Sequence, residues 1–83
     1  MNKIIIEVIV PALSDSFEIR IPPTIQLFKT LELIKKAVAE LSDGRYMPSD
    51  DTTICDFYTG GILNLSLTPV ELEIRNGYKI LLI

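Results

Sequence analysis

"LEIRNGYKILLI", residues 72–83, decides how this chain is read. Asn76 and Gly77 both tolerate positive φ and mark a tight turn. The six residues after them, Tyr78 to Ile83, are apolar apart from Lys79 and read as a strand rather than a solvated tail. The segments upstream show what kind of domain holds it.

Residues 3–10, "KIIIEVIV", are rich in β-branched side chains; Lys3 and Glu7 share one parity, leaving Ile4, Ile6, Val8 and Val10 on the face toward a core. After the turn-prone "PALSDS", the stretch "FEIRI" alternates, with Phe17, Ile19 and Ile21 inward and Glu18 and Arg20 outward. The first unit is therefore a hairpin. Pro22 and Pro23 end it, because neither donates to a ladder, and the apolar period then changes from two to about 3.6. Leu27, Leu31, Ile34, Val38 and Leu41 form one stripe of an amphipathic helix, with Lys29, Glu32, Lys35, Lys36 and Glu40 on the other side. Thr24 is the expected N-cap, and Ser42-Asp43-Gly44 the stop.

Past the polar connection "RYMPSDD", "TTICDFY" and "ILNL" read as two short strands around the turn "TGG". In "LTPVEL", Thr68, Pro69 and Glu71 make a capping-box pattern sufficient for one short helical turn. The expected order is ββαββ, a short helical turn, then β, in one α+β domain over residues 1–83 with no internal repeat.

Composition narrows the function classes. The chain has 83 residues, 48% of them hydrophobic, and must commit nearly every large apolar side chain to one core. Eleven acidic against eight basic residues give a net charge of −3, which offers no attraction to phosphate backbones or anionic lipid, so nucleic acid is not an expected partner. The run "IIIEVIV" stops at Pro11, far short of the roughly 20 apolar residues of a membrane span, and no secretory cleavage pattern follows it. No direct membrane insertion is expected, and a single cysteine fits a reducing, cytoplasmic location.

The segments "IPPTIQLFKTLELI", "TTICDFYTGGIL" and "LEIRNGYKILLI" resemble the small ubiquitin-like proteins of the YukD/EsaB kind from bacterial type VII secretion systems. They share an extended strand ending in proline, a helix opening on apolar residues, a T-x-I strand with a glycine turn, and an I-x-x-G-x-x-x-L ending. Tyr78 departs from the acidic residue usual after that glycine, and residues 42–53 have no strong counterpart. The resemblance implies a ubiquitin-like β-grasp: a mixed sheet of four to five strands packed on one main helix, with the first and last strands parallel at its centre and Ile80 and Leu82 turned to the helix. It also implies an accessory or regulatory protein that works by binding, with cytosolic parts of membrane-anchored secretion machinery, such as the motor ATPase, as partners.

Ubiquitin-type conjugation and sulfur carriage need a flexible Gly-Gly tail, whereas Gly60-Gly61 sits inside a hairpin and the chain reads "LLI" at its end. A carrier reading requires a processed or extended C-terminus. Cys55 has no histidine to activate it and is expected to be a buried small hydrophobe. Asp50, Asp51 and Asp56 fit no calcium-loop spacing and read as turn chemistry, so no metal or cofactor is expected. With no acid–base pair in view, the chain is not expected to be an enzyme.

What remains is an apolar surplus. If Ile4, Ile6 and Val8 face the helix, Ile5 and Ile9 project from the other side of the sheet, and Leu81 and Ile83 share the side of Lys79. Placing Asp56 outward brings Ile54 and Tyr58 to the same face, a parity that a bulge would reverse. Ile5, Ile9, Ile54, Tyr58, Leu81 and Ile83 are thus the expected partner-binding residues, covering on the order of a few hundred Å². A homodimer through the same patch is the variant reading, and a general ubiquitin-like adaptor unrelated to secretion the remaining alternative.

Overall fold

The computed structural model describes residues 2–83. Strand β1 (Ile4–Val10) runs through a 3-10 turn at Pro11–Leu13 into β2 (Asp15–Ile21); helix α1 (Leu27–Leu41) follows, then β3 (Ile54–Asp56) and β4 (Tyr78–Leu82). The sheet order is β2-β1-β4-β3. β1 pairs antiparallel with β2 and parallel with β4, which pairs antiparallel with β3. The sheet is mixed, the two sequence termini supply its centre, and the β-grasp expected from the sequence is the observed architecture.

Alternation decides which side of the sheet is core. Ile6, Val8 and Val10 from β1, Ile19 and Ile21 from β2, and Ile80 and Leu82 from β4 lie against Leu27, Leu31, Ile34 and Val38 of α1. Each fully buried branched side chain contributes about 1.5–3 kcal/mol by removal from water, so this single layer carries the fold.

Four local expectations change. The helix begins at Leu27, not after Thr24, and Gln26 offers no side-chain cap. Its first free amides are met from elsewhere in the chain: Leu27 N–H donates to the Leu67 carbonyl and Phe28 N–H to that of Leu65, both at 2.9 Å. Leu41 is 57% exposed, while Lys35 is buried because its ammonium reaches the Ser49 carbonyl at 3.0 Å and Glu32 at 3.2 Å. The stop stays at Ser42-Asp43-Gly44 as expected: it is a Schellman motif with Asp43 (φ 59°) and Gly44 (φ 82°) both left-handed, closed by Gly44 N–H to Ala39 O and Asp43 N–H to Glu40 O.

The expected "ILNL" strand contracts to one bridge between Ile62 and Cys55, with Leu63 N–H donating to Ile54 O. Thr68 and Glu71 do form the reciprocal capping box, at 2.9 and 3.2 Å. The segment closes as hydrogen-bonded turns, Leu72 N–H to Thr68 O and Ile74 N–H to Pro69 O.

Candidate functional site: the open face of the sheet

The face of the sheet away from α1 is set by two parallel neighbours. Because Ile6, Val8, Ile80 and Leu82 point to the helix, Ile5, Glu7 and Ile9 of β1 and Lys79 and Leu81 of β4 point the other way. The register puts Ile9 beside Leu81 and Glu7 beside Lys79. That register is pinned at the start of β1: Asn76 Oδ1 accepts from Ile5 N–H at 2.8 Å, and Gly77 N–H donates to Ile5 O at 2.8 Å. Gly77 has φ 88°, which a side chain resists, so the turn before the last strand positions Ile5.

The sheet extends this face through β3. Cys55 lies opposite Leu81 and bridges to Ile62, so the three share a side; Cys55 is 2% exposed and Ile62 74%. Phe57 N–H donates to Lys79 O at 3.1 Å, which brings the Phe57 ring under the Lys79 ammonium at 5.8 Å from its centroid. Tyr58 packs edge-on against Phe57, centroids 5.1 Å apart.

Of the residues expected here, Ile5, Ile9 and Leu81 sit on the open face and are half-buried. Ile83 continues it beyond β4, since Thr53 and Ile83 exchange backbone hydrogen bonds, and is 57% exposed. Tyr58 is exposed but stands on the turn after β3. Ile54 is a correction: it pairs with Leu82, faces the helix and is 0% exposed. The reason is that Asp56 does not point to the open face. Asp56 aligns with Ile80, and its Oδ1 accepts from Tyr58 N–H (2.8 Å) and Thr59 N–H (3.3 Å), capping the turn. Phe57, Ile62 and Cys55 take the places given to Ile54. The aromatic beside a T-x-I strand was the available signal for Phe57.

Electrostatics divide the face. The Lys79–Glu7 pair, 3.9 Å apart and half-exposed, stands between Ile5 below and Ile9 with Leu81 above. Beside it a shallow depression of about 440 Å³ is lined by Glu7, Ile9, Pro11, Asp15, Phe57 and Lys79. Asp15 is held below the usual carboxylate range, chiefly by its hydrogen bond from Arg45 (3.0 Å) and then by that from Ser16 N–H. On the helix side of β4, burial pushes Tyr78 up to about 12, with the neighbouring Asp56 charge and hydrogen bond adding to it.

The arrangement offers an open contact area. Gly60 and Gly61 are turn residues: Gly60 N–H donates to Asp56 O and Gly61 O accepts from Asp56 N–H. Among the described residues no group of three or more Cys, Asp or Glu side chains is placed to hold a metal ion. No helix among them is long and apolar enough to cross a membrane.

No family model matches the sequence, and no curated protein matches it significantly. Solved structures do match. The ubiquitin-like domain of the Mycobacterium tuberculosis type VII secretion system protein ECCD1 aligns with a TM-score of 0.80 at 8% identity, covering 100% of this chain and 99% of that one. The EccD5 ubiquitin-like domain from Mycobacterium xenopi aligns with a TM-score of 0.72 at 12% identity, covering 100% and 94%. A ubiquitin from Caldiarchaeum subterraneum follows with 0.68, 19% identity, and 99% and 92% coverage. At these identities the likeness establishes the fold, a ubiquitin-like β-grasp.

Proposed function

We propose that this chain is a non-catalytic ubiquitin-like accessory or regulatory protein of a bacterial type VII secretion system, of the YukD/EsaB kind, acting in the cytoplasm by protein–protein binding and not by conjugation. The observation that carries the proposal is the full-length likeness to ubiquitin-like domains of type VII secretion proteins, in which both chains are covered almost end to end. The sequence pattern of the strand ending in Pro22-Pro23, the T-x-I strand and the closing strand supports the same reading. Its partners are cytosolic parts of the membrane-anchored machinery, the motor ATPase among them.

Recognition uses the open face of the sheet, with Ile5, Ile9, Leu81 and Ile83 as the apolar contact and Phe57 and Tyr58 at one border. The Lys79–Glu7 pair sets orientation rather than affinity, because a half-exposed ion pair contributes little by itself. The likeness to an archaeal ubiquitin and to the ubiquitin-like domain of Plasmodium falciparum Dsk2 supports the second reading, a general adaptor.

The test is capture from a lysate of the source cell with tagged wild type and with the Ile9→Asp, Leu81→Asp double variant, both checked for folding by circular dichroism. Secretion components retained by the wild type alone support protein and surface together. Equal retention by the folded variant moves the surface elsewhere, and retention of no secretion component by either favours the general adaptor. Intact mass after incubation with ATP and an activating enzyme separates both from a carrier, which must gain an adenylate or thiocarboxylate.

A further inference from the structure

The strand β2 ends the sheet, and among the described residues no strand pairs with its outer edge. It runs seven residues with neither proline nor a positive φ. Among the described residues, the backbone hydrogen bonds outside regular elements involve none of residues 16–21. Edges of this length are usually blunted, since unpaired N–H and C=O groups recruit another strand. Beside this edge lies a groove of about 430 Å³, lined by Glu18, Ile19, Arg20, Ala37, Glu40 and Leu41. Leu33, Ala37 and Leu41 follow one another at four-residue steps along α1, and Leu33 and Leu41 are 59% and 57% exposed. An apolar helix stripe thus runs beside a free strand.

We propose that a second copy of this chain occupies the edge, with β2 pairing antiparallel to β2 of its partner across a two-fold axis at Ile19. Charge selects this occupant and this register. Glu18 faces Glu7 across the β1–β2 ladder, an unfavourable like-charge pair, and Glu7 alone is relieved, by Lys79. Neither Glu18 nor Arg20 has an ion-pair partner among the described residues. Centring the axis on Ile19 puts each Glu18 opposite the other copy's Arg20. Moving the centre to Glu18 or to Arg20 opposes two carboxylates or two guanidinium groups, and an odd shift turns the inner face of one copy outward.

In the selected register Ile19 meets its own copy, Phe17 meets Ile21, and both helices lie on the same side. Their Leu33–Ala37–Leu41 stripes then face each other beneath one continuous sheet of both copies. Pro22 limits the ladder at each end. The open face that carries Ile9 and Leu81 remains free in this dimer, so the inference goes beyond the proposed function and stands independently of it.

The test is sedimentation velocity over a wide concentration range on the wild type, E18R, R20E and an equimolar mixture of the two variants, with circular dichroism confirming that each is folded. The wild type should dimerise with rising concentration, and each single variant should weaken the dimer about tenfold or more by opposing like charges twice. The mixture should associate again, because E18R and R20E present opposite charges to each other at both positions. A wild type that stays monomeric to millimolar concentration, single variants that dimerise like the wild type, or a mixture no more associated than its components would each overturn the proposal.

Discussion

The two faces of one sheet are made from the same strands and the same kinds of side chain, yet they do different things. On the helix side, Ile6, Val8, Val10, Ile80 and Leu82 are all 2% exposed or less. On the other, Ile5, Ile9 and Leu81 alternate with Glu7, Lys79, Glu18 and Arg20 and remain half-open. High apolar content therefore marks a strand as central without saying which of its faces is core. The position of the charges says that, because a charge is tolerated at the surface and costs several kcal/mol inside.

One substitution on each face separates the two most strongly. Ile54→Asp puts a carboxylate at a position with no solvent access and should cost several kcal/mol, a large share of the roughly 5–15 kcal/mol available to a small domain. The variant is expected to be unfolded by circular dichroism at room temperature. Ile9→Asp removes partly buried surface and should cost about 1–2 kcal/mol, leaving a cooperative urea transition at lower midpoint. If both unfold alike, the open face is core and the recognition surface argued for it does not exist.

How much of this was legible depended on the length of each element. β1, β2, α1 and β4 run long enough for alternation or the helical stripe to show; Glu7, Glu18, Arg20 and Lys79 mark the core sides of the three strands, and Leu27, Leu31, Ile34 and Val38 that of α1. β3 has only three residues, so its parity hung on the assumption that Asp56 faces water. Its carboxylate instead holds the turn through two backbone amides, a tertiary use of a residue type that reads simply as polar. Lys35 was misplaced because its acceptor, Ser49, lies 14 residues away in the connection after α1, where no periodicity points to it. The cap of α1 was missed for the same reason, since carbonyls of Leu65 and Leu67 replace a local side chain.

Tyr78 belongs to the inner face, opposite Ile6, while its hydroxyl interacts with Asp56 at the rim. Burial, then the Asp56 charge and hydrogen bond, raise it from the usual value of about 10 to about 12. The folded state consequently holds the phenolic proton more tightly than the unfolded one. Its contribution to stability is complete below about pH 10 and is lost as pH rises toward about 12. Urea titrations at intervals across that window should show the wild type losing on the order of 1 kcal/mol more than Tyr78→Phe, allowing for partial solvent exposure. Parallel slopes for the two proteins would place the hydroxyl in water and remove Tyr78 from the inner layer.

The smallest effects on stability separate fold from recognition most cleanly. Gly77→Ala adds a methyl group that meets nothing within 4 Å, so its cost is the backbone's reluctance to hold φ 88° with a side chain, about 1 kcal/mol. Lys79→Glu opposes Glu7 on the open face and removes the cation over Phe57, and for half-exposed groups should cost about 0.5–1 kcal/mol, less at high salt. The two variants thus have nearly equal stability and differ in what they change. Gly77→Ala leaves the charge pattern of the open face intact and should retain wild-type partner capture. Lys79→Glu should lose capture at the same folded fraction, because reversed charge at a contact surface repels the partner that the wild-type pattern orients. Equal capture by both would mean that the charges dividing the open face only keep it soluble, and that any binding there rests on its apolar residues alone.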